Sequence, residues 1–176
     1  EDEWERVAER VSRLARVPEA VEAWVARYWA SAAPLKGSQK PQNIAALWVY
    51  GGAFLWGPSA GSDVDLLGIA AGPLPPTNVG VIGYLNLDDG TVKLVPPEAS
   101  TPAPQGPWVP LSLLLIGRDY LMNQRGDPHR TAYALRAWGS GTLLNGPEHL
   151  ARPPDAMPLV PIFAESLNLR HEGLAL

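Results

Sequence analysis

The stretch "WVYGGAFLWGPSAGSDVDLLGIA", residues 48–70, decides how this chain is read. An apolar run reaches Gly51 and Gly52, passes through a loop of small residues, and meets Asp63 and Asp65 at the head of a second apolar run. Burial alone does not call for two carboxylates one residue apart at the start of a strand. Residues i and i+2 of a strand project to the same face, about 6–7 Å apart, so the two charges repel unless a cation lies between them. Hard oxygen donors in that arrangement suit Mg²⁺, which takes one or two protein carboxylates and completes its shell with water and phosphate oxygens. Glycines at the end of the preceding strand let a phosphate approach the backbone with no Cβ in the way. The Ser62 hydroxyl adds a donor. A phosphate cradle beside a carboxylate pair is the pattern of a nucleoside triphosphate site with its metal.

Working outward, "IAALWVY" (44–50) is expected as a buried strand from its aliphatic and aromatic content. "AAGPLPPTN" breaks the chain, and "VGVIGYLNL" and "TVKLV" then flank "DDG", whose Asp-Gly predicts a hairpin turn. "PPEASTPAPQGP" is a stiff connector. A helical region is expected over "LSLLLIGRDYLMNQ", and another over "DPHRTAYALRAW", capped by Asp127 with Pro128 at its first position. "GSGTLLNGPEHL" reads as turn, short extended piece, turn. Towards the N-terminus, Trp4, Val7, Val11 and Leu14 recur at spacings of three and four, giving an amphipathic helix over 3–17. Pro18 fits the first turn of a second helix, with Val21, Trp24 or Val25, and Tyr28 on one face. The organisation is therefore an N-terminal helical extension (1–36), a core (41–150), and a C-terminal segment (151–176) that begins a helical region.

Composition narrows the classes. A net charge of −4 argues against a broad nucleic-acid surface, and the lack of cysteine excludes disulfides and thiolate metal sites. No apolar stretch approaches the length of a membrane span, so a soluble cytoplasmic protein is expected. His129, His149 and His171 show no ligand spacing. Trp4, Trp24, Trp29 and Trp48 fall at core positions of helices or strands, whereas Trp56, in the loop between glycines and aspartates, either packs that loop, stacks on a base or shields the site.

Strand, Gly-Gly, short loop, then Ser-Asp-Val-Asp opening another strand resembles the signature of the nucleotidyltransferase superfamily. "GDPHRTAYALRAWGSGTLLNGPEHLARPPDAMPLVPIFAESL" looks like the stretch after the catalytic core in aminoglycoside adenylyltransferase-like members. Together the similar segments cover roughly residues 44 to 168. The resemblance implies an α+β nucleotidyltransferase fold, a small mixed β-sheet flanked by helices. It implies transfer of a nucleoside monophosphate from an NTP, ATP in the first instance, to an acceptor hydroxyl. Asp63 and Asp65 would be the catalytic and Mg²⁺-binding carboxylates, and Gly51, Gly52 and Ser62 would hold the nucleotide.

Family members use a third carboxylate on a later strand. The corresponding strand here is expected to be "TVKLV", where Lys93 stands in the acidic position. An ammonium cannot ligate Mg²⁺. Lys93 is otherwise a solvated charge on the hairpin, and three explanations follow for the missing acid: the register differs and Asp88, Asp89 or Glu98 supplies it, the enzyme works with two carboxylates, or catalysis is lost. The last leads to an alternative, a nucleotidyltransferase-like binding or antitoxin module acting with a protein partner or as a homodimer.

Overall fold

The computed structural model describes residues 3–31, 44–51, 54, 62–71, 74, 77–97, 99–119 and 141–146. Two helices, α1 (Glu3–Ser12) and α2 (Val17–Ser31), precede six strands: β1 (Ile44–Tyr50), β2 (Val64–Ala70), β3 (Thr77–Asn86), β4 (Val92–Leu94), β5 (Trp108–Gly117) and β6 (Thr142–Asn145). The strands form one mixed sheet in the order β4-β3-β5-β2-β1-β6. All the described pairings are antiparallel except β2 with β5, which run parallel over seven consecutive pairs from Val64↔Leu111 to Ala70↔Gly117. The coarse class expected from the sequence, a small mixed sheet with helices, is what forms.

Strand alternation divides the sheet into two faces. Leu47, Val49, Val64, Leu66, Leu111, Leu113 and Leu115 fall on one of them and join a single core with Leu14, Val17, Val21, Trp24 and Val25 of the helical segment. The N-terminal extension is thus a covering layer of the same core as the sheet. Its attachment is also polar: Trp24 Nε1 donates to the carbonyl of Val95 at 2.6 Å, beside β4, and Tyr28 stacks on Trp24 with ring centroids 5.1 Å apart. α1 ends at Ser12, a turn short of the expected stop, and Val17 opens α2 with Pro18 second, where a missing N–H costs nothing. Trp4 corrects one expectation. It is 70% exposed, because it lies in the opening turn of α1, and the inward-facing residue of that segment is Leu14.

On the opposite face Trp48, Leu67, Ile69, Leu114 and Ile116 are also buried. Burial on both faces explains the largest departure from the sequence reading. "LSLLLIG" (111–117) is not helical but the second half of β5, and helical conformation begins only at Arg118. Leucine favours helices, and a continuous apolar run carries no period that separates the two structures. A strand with neighbours on both edges and cover on both faces needs such a run, and the pairing decides. The Asp-Gly signal at 89–90 did specify its hairpin. Asn86 N–H donates to Thr91 O at 2.8 Å, Asp89 Oδ1 accepts from Thr91 N–H at 2.8 Å, and Gly90 takes φ +71°. The expected extended piece after Gly141 is β6. The expected helices over 127–138 and in the C-terminal segment, and Trp56, Gly52, Glu98, His129, His149 and His171, lie outside the described residues.

Among the described residues no helix is long and apolar enough to cross a membrane.

Candidate active site

β2 begins at Val64, so Asp65 is its second residue and Asp63 lies one residue ahead of it. Both carboxylates belong to one face. Asp65 is the cross-strand partner of Ser112 on β5, and the Ser112 hydroxyl donates to Asp63 Oδ2 at 3.4 Å. Asp63 is exposed and Asp65 half-buried. Burial, and then the neighbouring charge of Asp63, pushes the Asp65 carboxyl up to about 6. The expected repulsion between the two groups is therefore expressed in the fold.

Gly51 forms the adjoining wall. It directly follows Tyr50, whose Cα partner is Asp65, and it takes φ +92°. A Cβ added at Gly51 would lie 2.7 Å from Asp65 Oδ2, closer than real side chains approach. Here glycine is needed twice, for a left-handed backbone and for the space that the carboxylate occupies. Ser62 is buried at 9% exposure, immediately ahead of the exposed Asp63. The segment joining β1 to β2 is held at Phe54, which is buried in the core and whose carbonyl accepts a hydrogen bond from the Arg10 guanidinium of α1.

Lys93 does not stand beside the pair. It is exposed on β4, opposite Tyr84 of β3, and both β3 and β5 intervene between β4 and β2. Three strand spacings amount to about 14 Å, beyond the reach of a lysine for a direct ion pair. The sequence places "TVKLV" after the hairpin turn and offers no means of seeing that β5 inserts between that hairpin and β2. Asp88 and Asp89 lie exposed in the hairpin turn, and Asp89 is engaged with Thr91 there. Among the described residues no group of three His, Cys, Asp or Glu side chains comes together. Lys93→Glu is accordingly expected to leave divalent-cation affinity unchanged. Mn²⁺ titration of both proteins checks this, and a clear gain in affinity would contradict the strand order.

The residue that adjoins the pair is Ser112, which sequence reasoning passed over. Its signal was a lone hydroxyl inside the apolar run "VPLSLLLIG", legible only once that run is a strand.

The donor set fits a hard divalent ion. Asp63 and Asp65 supply two anionic oxygen groups on one face, the Asp65 carboxylate lies against Gly51 where a Cβ would not fit, and the disfavoured charge on Asp65 favours a cation. No protein-family description, no curated protein and no solved structure matches the chain.

Proposed function

We propose that this chain is a nucleotidyltransferase-fold domain that binds an NTP with Mg²⁺ and transfers its nucleoside monophosphate to an acceptor hydroxyl. One observation carries the reading: Gly51, with its left-handed backbone, closes on Asp65, a carboxylate destabilised by burial and by Asp63. Such a pair favours a cation between its carboxylates. In the reaction the acceptor oxygen attacks the α-phosphorus, the bond to pyrophosphate breaks, and the acceptor's proton passes to solvent or to a base. Mg²⁺, when bound, neutralises charge on the phosphoryl group and the leaving pyrophosphate. Asp63 and Asp65 would hold it, Gly51 and Gly52 would admit the triphosphate, and Ser62 would steady the loop that delivers Asp63.

The finding of two carboxylates without a third among the described residues favours a second reading, a nucleotide-binding module that acts through a protein partner without transfer. Both readings require the same binding step. Mg²⁺ with a non-hydrolysable ATP analogue is expected to raise the melting temperature by mass action. The rise should vanish in the Asp63→Asn, Asp65→Asn double variant. An equal rise in that variant would place the nucleotide elsewhere and end both readings. Incubation with labelled NTPs and candidate acceptors then separates transfer from binding alone.

A further inference from the structure

The last turn of α1 carries Arg10, and an arginine there can bond the helix's own free carbonyls. Arg10 reaches across to the sheet layer. Its guanidinium donates to the carbonyl of Phe54, 44 residues further along, in the segment that joins β1 to β2. The next arginines along the chain act nearer to hand or on the hairpin: Arg13 pairs with Glu9 at 3.2 Å, and the charge of Arg16 acts on Asp89 in the β3–β4 turn. The Arg10 contact is partly buried, so its charge-assisted bond is screened less than one on the open surface. Phe54 is held a second time, by burial in the core that Leu14 and Val17 share with the sheet. Ring burial alone leaves the peptide plane free to turn about its anchor, and a bonded carbonyl fixes it. Gly51 lies three residues before Phe54, a reach of at most about 10–11 Å for extended chain. Gly51 in turn takes φ +92° and closes on Asp65 with no room for a Cβ. Arg10, Phe54, Gly51 and Asp65 thus link the helical layer to the carboxylate pair through one short stretch of chain.

We infer that Arg10 is a positioning residue for the candidate site, so that α1 is part of the site's construction as well as cover for the core. This rests on the reading of Asp63 and Asp65 as the centre of a nucleotide site. Arg10 touches no substrate under this assignment. It fixes the carbonyl of Phe54, and with it the place at which the chain leaves Gly51. Without that bond the segment is held by the Phe54 ring alone and occupies the competent arrangement for a smaller fraction of the time. A ligand that needs this arrangement then binds with an apparent affinity reduced by that fraction.

Two measurements on the full chain test this, and one of them needs no ligand. The chain has two phenylalanines, so labelling with 4-fluorophenylalanine gives two ¹⁹F resonances, and Phe54→Leu identifies the one from residue 54. Arg10→Ala should shift or broaden that resonance, and Arg10→Lys, which keeps a cationic donor, should restore it. In calorimetric titration with Mg²⁺ and β,γ-imido-ATP, Arg10→Ala should bind about tenfold more weakly than wild type, the equivalent of one lost charge-assisted hydrogen bond. Arg10→Lys should recover most of that loss. Arg13→Ala, which removes only the exposed pair with Glu9, should change neither readout. An unmoved Phe54 resonance in Arg10→Ala overturns the link from α1 to the segment. A moved resonance with wild-type affinity shows a bond that serves the fold alone, and overturns the positioning role. Wild type that binds no nucleotide ends the reading of the site, and this inference with it. Should Arg10→Ala fail to fold, as judged by circular dichroism, Arg10→Gln, which keeps an uncharged donor, takes its place, and affinity below that of Arg10→Lys is the result expected of it.

Discussion

Asp65→Asn should make the protein more stable at pH 8 and at the same time abolish its response to Mg²⁺ and nucleotide. Asp65 is raised from 3.8 to about 6 in the folded chain, so the folded state favours the neutral carboxyl. That preference contributes stability in full below pH 3.8, and the contribution is lost as pH rises through about 6. At neutral pH the wild type therefore carries an ionised group that its surroundings disfavour. The shift alone corresponds to about 3 kcal/mol. Asp65 is only half-buried, and solvent screening reduces the figure to about 1–2 kcal/mol. For a chain of this size that is a rise in Tm of about 2–8 °C.

The pH profile makes the prediction specific. Melting curves of wild type and Asp65→Asn should coincide near pH 4, diverge between pH 4 and 6, and run parallel above about pH 7. Asp63→Asn should stabilise less, since Asp63's charge is the smaller of the two causes and desolvation of Asp65 would remain. Stability bought against function in this way is common where a site holds like charges together. An Asp65→Asn protein less stable than wild type at pH 8 would show that the carboxylate is already compensated, and the argument for a waiting cation site would go with it.

Gly51→Ala should be destabilising by about 2 kcal/mol, or about 4–8 °C in Tm. Two costs are involved and they can be separated. At φ +92° any L side chain is strained, and the new methyl would also lie 2.7 Å from Asp65 Oδ2. The strain belongs to the backbone and persists whatever residue 65 is. The clash belongs to the pair. Combining Gly51→Ala with Asp65→Ala should relieve the second cost alone, so the double variant should be more stable than the two single effects predict. Strict additivity would mean that Asp65 swings away freely, and that Gly51 does not shape the carboxylate. Gly51→Ala should also weaken Mn²⁺ binding, which a purely structural glycine would leave unaltered.

How far the sequence could be read depended on the range of each interaction. The β3–β4 hairpin was legible because Asp89 and Gly90 carry its turn locally, and the Gly51–Asp65 juxtaposition because β1 and β2 are neighbours along the chain and in the sheet. The same-face placement of Asp63 and Asp65 needed only strand alternation. What failed was long-range. Nothing local in "LSLLLIG" indicates that it pairs with β2, some fifty residues earlier (Ser112 with Asp65), so its leucines read as helix and its serine as unremarkable. Without β5 in place, "TVKLV" reads as the nearest later strand and Lys93 as a neighbour of the pair, whereas the residue opposite Asp65 is Ser112. Trp4 failed for a different reason: periodicity names a face, but only packing tells how far along the helix that face is covered.

The strand order has a further consequence during synthesis. β5 is the partner that joins β3 to β2, yet it follows both in the chain. Until residues 108–117 leave the ribosome, the only neighbouring pairings open to β1–β4 are β1 with β2 and β3 with β4. Each presents an open edge, and two-stranded pieces are marginal alone. The edge of β2 is the more hazardous, for it is a run of Leu66, Leu67 and Ile69 with no charge after Asp65. Charges at the head of such an edge disfavour pairing with another chain, and Asp63 and Asp65 are the charges that lie there.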